Sequence, residues 1–303
     1  MNRNSPASIK ARARSVFWVS ATCTAITACV LFIYGTTNFL EVLRLLGLFP
    51  INLFDVTRSL LLIAILFAGP LFEDGIVDGN WRGWISLGSF KRVVIDDWVN
   101  FRNLVVGPVS EEVVFRSLAV SLYLLAKVDP KEIVFKTPLI FGLAHLHHLN
   151  ETIVKHQKPG RSYLATAMTP SILLSGLIQI TFQFAYTSLF GMFATFLYLR
   201  TGSLYACILA HSFCNYMGLP RVWGRLSKYA AEEVRDNDHG TEDNKDTPTT
   251  GKNLKSAVSG RSVEQPLGVE WTVAYYVLLV GGAYEFYKML WPLTESSYAL
   301  ASL

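Results

Sequence analysis

The sequence has almost no cysteine chemistry to offer. Its four cysteines, Cys23, Cys29, Cys207 and Cys214, all fall in apolar stretches, and none stands in a C-x-x-C or zinc-finger spacing. That excludes a disulfide framework and a structural zinc module, and leaves four small packing residues. No H-E-x-x-H occurs either, so the usual helical zinc-protease signature is missing. Basic stripes are lacking: the net charge is only +4 and the Lys and Arg residues are scattered, which excludes nucleic acid as a partner. No internal repeat can be traced, which argues against solenoids. Acidic residues are absent from positions 1–14, where Arg3, Lys10, Arg12 and Arg14 sit.

What the chain has instead is apolar length. It is 303 residues long and 51% hydrophobic, with a mean hydropathy of +0.33. A bilayer core roughly 30 Å thick needs about 20 mainly apolar residues per helix. Windows of that kind run at 15–34, 101–126, 133–149, 171–199, 203–219 and 271–290, with a shorter one at 57–72. Residues 37–53 are a further candidate for dipping into the membrane. The expected fold class is therefore all-α: a polytopic transmembrane helical bundle of about six to eight helices. The basic start before the first window fits a retained first helix better than a cleaved signal, and the positive-inside rule places residues 1–14 in the cytosol. Residues 15–303 are expected to form one transmembrane domain, with its motifs between 100 and 220. Residues 228–266 are polar, with Tyr229 the single aromatic, and read as a disordered loop. Trp81, Trp84 and Trp98 are spaced as interfacial belt residues.

Three polar clusters interrupt the apolar windows. An ionisable side chain at mid-membrane costs roughly 2.5–3.5 kcal/mol, so each cluster is a candidate functional site. The first is G-P-V-S-E-E-V-V-F-R, with Glu111, Glu112 and Arg116. Neighbouring residues on a helix point about 100° apart, so the two glutamates cannot serve one spot equally. Glu112 and Arg116 are i,i+4 and share a face, which suits an ion pair and leaves Glu111 projecting elsewhere. Glu111 as a second partner of Arg116 is the plainer reading. Pro108 is expected to kink or start this helix just before the carboxylates.

The second cluster is F-G-L-A-H-L-H-H, with His145 in an apolar run and His147 and His148 at its end, near headgroups. The third is H-S-F-C-N-Y-M-G-L-P, with His211 and Asn215 one turn apart on one face. Glu111, His145 and the His211/Asn215 pair come from three helices. Converging on one pocket, they hold the parts needed to activate water and stabilise an oxyanion. Left apart, His211 and Asn215 would merely cross-bond two helices. His156 and His239 lie in loops and are read as solvated.

Together the three motifs resemble the type II CAAX prenyl endopeptidases, within a wider family of intramembrane glutamic proteases related to bacteriocin-processing proteins. Glu-Glu-x-x-x-Arg, Phe-x-x-x-His and His-x-x-x-Asn occur here in order over about residues 100–220. The resemblance implies a metal-independent hydrolase that cleaves prenylated CAAX tails after the lipid-bearing cysteine and releases the terminal tripeptide. It implies Glu111, His145, His211 and Asn215 as catalytic residues, supported by Glu112 and Arg116. It also implies Ras-like small GTPases among the substrates, membrane lipid around the prenyl chain, and an endoplasmic reticulum location with the site facing the cytosol. Neither prenyl-chain preference nor accepted tail sequences can be read from motifs.

Three rivals stand beside it. Glu111, His145 and His211 make a possible zinc ligand set, which would give a zinc-dependent membrane protease. Cys214, at i+3 from His211, offers a thiol mechanism that lacks electropositive surroundings. A transporter or scaffold with an intramembrane polar network is the non-enzymatic alternative, and it lacks repeat symmetry.

Overall fold

The computed structural model describes residues 4–36, 38–144, 147–231 and 262–303. Each apolar window holds a helix among the described residues, and most of these helices begin before the window does. The first helix is Pro6–Tyr34; others are Leu53–Leu66, Pro130–Ala144, Pro170–Thr201, Leu204–Met217 and Val269–Thr294. The chain is an all-α, polytopic membrane protein.

Span count by length and composition differs from the hydropathy reading. Among the described residues two helices pass, Pro6–Tyr34 and Pro170–Thr201, and a third counts if Leu53–Leu66 and Ala68–Val77, bent by 82°, form one span. The physical reason is rise per residue. Pro130–Ala144 has 15 residues and Leu204–Met217 has 14, or about 22 and 21 Å of helix at 1.5 Å each. Val269–Thr294 is long enough, but it is rich in Tyr and Trp and carries Glu285 and Lys288.

The chain divides into two compact units interleaved in sequence. One comprises Met1–Arg14, Val56–Pro108 and Leu209–Thr294; the other comprises Ser15–Asp55, Val109–Ile208 and Glu295–Leu303.

In the first unit, Val269–Thr294 packs on Ala68–Phe72 through small residues. A Cβ at Gly282 would run into the Ile65 carbonyl, so only glycine lets the backbones approach there. Trp271 stacks on Phe72 at 5.8 Å. Tyr275 is fully buried beside Val77 and Leu226. Its hydroxyl accepts from the Arg221 N–H at 2.8 Å and donates to the Arg221 carbonyl at 3.1 Å, so no polar group is lost on burial. Ser227–Ala231 and Ser262–Pro266 pair as antiparallel strands, Ser227 opposite Pro266. The ends of the polar 228–266 segment are therefore paired backbone, and residues 232–261 lie outside the described residues. Trp84 donates its indole N–H to the buried Asp74 carboxylate at 2.9 Å.

In the second unit, Pro130–Ala144 lies against Pro170–Thr201. A Cβ at Gly191 would come within 2.9 Å of the Pro138 ring, and the buried Thr137 and Thr195 hydroxyls meet at 3.0 Å. Leu31, Val42, Leu46 and Leu118 form a core cluster. The helix Phe39–Leu45 ends with carbonyls that have no partner inside the helix. Those of Leu45 and Leu46 are taken by hydroxyls: Tyr198 donates to Leu45 O at 2.8 Å and Ser117 to Leu46 O at 2.7 Å. The C-terminal residues dock on the same unit. Leu300 N–H reaches Leu199 O at 2.8 Å, and Arg44 donates to the Ala299 carbonyl at 3.1 Å.

Candidate active site

The Glu-Glu-x-x-x-Arg motif sits inside a continuous helical run, Trp98 to Leu125. Asp97 caps it, its Oδ1 accepting from Val99 N and Asn100 N at 2.8 and 3.0 Å. The run begins ten residues before Pro108, so the proline neither starts the helix nor ends it. Two π-helical turns, Arg102–Val106 and Val113–Leu118, flank the α-helical Gly107–Glu112. The first turn has a local cause. A proline inside an α-helix lacks the N–H for position i−4 and its ring strikes that carbonyl, and widening the preceding turn relieves the clash.

Glu112 and Arg116 are buried to 0% and 1% exposure, and Arg116 Nε lies 3.1 Å from Glu112 Oε2. This is a contact ion pair, yet it lacks the alignment of a hydrogen bond, and both terminal guanidinium nitrogens have no hydrogen-bond partner among the described residues. Aromatic faces take their place. The guanidinium carbon lies 4.8 Å from the Phe141 ring centroid and 5.7 Å from that of Phe190, within the range of cation–π attraction. Phe115 in turn meets Phe141 edge-on at 4.9 Å. Glu111, one residue earlier, is half-buried.

His211 and Asn215 lie on the helix Leu204–Met217. His211 is buried at 6% exposure. Phe213, between them, packs edge-on against Phe67 at 5.8 Å. Asn215 is half-buried and donates through Nδ2 to the Asn103 carbonyl at 2.9 Å. The acceptor fixes the amide's orientation, because only nitrogen can donate to a carbonyl oxygen. His145 lies outside the described residues, as do the side chains of His147 and His148. All four cysteines are free thiols, with Cys207 and Cys214 buried.

Two participants escaped the sequence reading. Phe190 sits in an unbroken apolar run, where nothing marks it out from other packing aromatics. The Asn103 carbonyl carries a signal in hindsight: it stands five residues before a proline.

The fold and these buried polar groups define a helical membrane protein with ionisable residues held in its apolar interior. Residues 97–217 match the family described as type II CAAX prenyl endopeptidase Rce1-like. A probable CAAX prenyl protease 2 of Schizosaccharomyces pombe is 34% identical over 226 residues, covering 75% of this chain and 73% of that protein. CAAX prenyl protease 2 of Homo sapiens is 35% identical over 237 residues, 74% of this chain and 65% of the relative. The Caenorhabditis elegans protein of that name is 31% identical over 238 residues, covering 77% and 80%. No solved structure matches the chain. The chain belongs to the type II CAAX prenyl endopeptidase family, and it is a membrane protease. Family membership does not favour the transporter or scaffold reading.

Proposed function

We propose that this protein cleaves prenylated CAAX tails between the lipid-modified cysteine and the next residue, releasing the terminal tripeptide. The supporting observation is how the charges of the first motif are divided. Arg116 holds Glu112 in a fully buried pair, while Glu111, one residue earlier and so about 100° round the helix, is only half-buried; the chemistry is assigned to Glu111. Glu111 acts as general base and, aided by His145, takes a proton from the water that attacks the scissile carbonyl. His211 and Asn215 donate to the oxyanion as it develops, and Glu112 and Arg116 keep the helix in place. No metal takes part.

The substrate explains the setting. A prenyl chain dissolves among lipid-facing helices while the peptide reaches a polar cavity. Substrates would include Ras-like small GTPases, and the site would face the cytosol from the endoplasmic reticulum membrane. The test is cleavage of a synthetic prenylated tetrapeptide by the purified protein, beside Glu111→Gln and His211→Ala. Both variants should insert normally and lose tripeptide release. Full turnover by Glu111→Gln would remove that carboxylate from the mechanism.

A further inference from the structure

We infer that Pro108 is a positioning residue for the reaction, acting through Asn215; this rests on the catalytic role given above to Asn215. In the π-helical turn Arg102–Val106 the Gly107 N–H reaches back five residues to the Arg102 carbonyl. In the same register the next carbonyl, that of Asn103, falls to residue 108. Proline has no N–H, so the helix offers nothing there. A carbonyl partly withdrawn from water and left without a helix donor is costly, and a side chain from elsewhere takes it up. That side chain is Asn215, whose Nδ2 lies 2.9 Å from Asn103 O.

A primary amide carries two N–H hydrogens in one plane. With one fixed on the Asn103 carbonyl, the direction of the second is fixed as well, and so is the carbonyl end. Asn215 thus points a preset donor and needs no reorganisation when charge develops on the substrate, which is what oxyanion stabilisation requires. The proline therefore makes, by omission, the acceptor that aims the amide. Its geometric consequence is local: restoring an N–H at position 108 closes the helix ladder and competes with Asn215 for a single carbonyl.

This separates stability from activity. Pro108→Ala and Pro108→Ser each restore the N–H, so the purified protein should melt at the same temperature or higher. Its kcat on a prenylated tetrapeptide should fall about tenfold, with KM within about twofold, since a misaligned catalytic group costs turnover more than substrate binding. In the Asn215→Ala background, Pro108→Ala should cost nothing further, because the group it would misplace is gone. Multiplying effects in the double variant would overturn the inference, as would loss of folded protein in both proline variants or unchanged kcat in either. Full activity of Asn215→Ala alone would instead overturn the role of Asn215, and the inference would fall with it. A reduced Asn215→Ala with multiplying effects would leave that role intact.

Discussion

Replacing Glu112 with alanine leaves the Arg116 guanidinium in place with its carboxylate removed. The arginine is 1% exposed and its terminal nitrogens have no hydrogen-bond partner among the described residues, so the cation cannot recover hydration by a small shift. Breaking a buried pair from one side costs about 3–5 kcal/mol. The Phe141 and Phe190 faces offset about 1–2 kcal/mol at most, and they do so in the parent protein as well. At about 2.1 cal/mol/K per residue, 303 residues give an unfolding entropy near 0.6 kcal/mol/K, so the melt should drop by about 5–8 °C. Helices that persist in the unfolded membrane state lower that entropy and enlarge the shift. Removing both charges, as Glu112→Leu with Arg116→Met, should return most of the loss, since the penalty comes from the lone charge. The assay is thermal unfolding of detergent-purified protein for the parent, both single variants and the pair. A Glu112→Ala melt within about 1 °C of the parent, or a double variant as unstable as the singles, would refute the reasoning.

Glu111→Gln keeps size and hydrogen bonding while removing the base, so turnover of a prenylated tetrapeptide should fall by at least about 10²-fold with no change in melting. Stringent chelation of the purified protein should leave its turnover unchanged; activity lost on chelation and regained with zinc would revive the metal-dependent reading built on Glu111, His145 and His211. Gly202 closes the Pro170–Thr201 helix at φ +60°, and a Cβ there would strike the Tyr298 carbonyl. Gly202→Ala should therefore cost about 1–2 kcal/mol from backbone conformation alone and lower the melt by about 2–3 °C, more if the C-terminal residues undock. An unchanged melt would refute the backbone cost assigned to the left-handed conformation at this position.

Much of the candidate site was legible from local spacing. Four residues along a helix return to one face whether the turn is α or slightly widened, so Glu112 and Arg116 meet even though a π-helical turn begins between them. The apolar windows gave the long helices, because burial in lipid requires apolar length regardless of neighbours, while short helices such as Trp81–Trp84 and Tyr163–Ala167 lie outside them. Span counting was less legible: among the described residues two or three helices are long and apolar enough to cross a membrane, and helices of 14 and 15 residues fall short of that length. The role of Pro108 was misplaced for a similar reason. Proline reads as a helix starter or breaker, while here the preceding turn widens and the helix carries on from Asp97 to Leu125.

The sequence by itself determined that this is an all-α membrane protein and that Glu112 and Arg116 share one helix face, because hydrophobic length and 3.6-residue periodicity are properties of contiguous residues. Only the tertiary structure decided that Arg116 rests between Phe141 and Phe190, and that Asn215 takes the Asn103 carbonyl that Pro108 leaves open. Those partners are distant in sequence. They are selected by the need of each buried polar group for a partner, which depends on the helices that pack beside it.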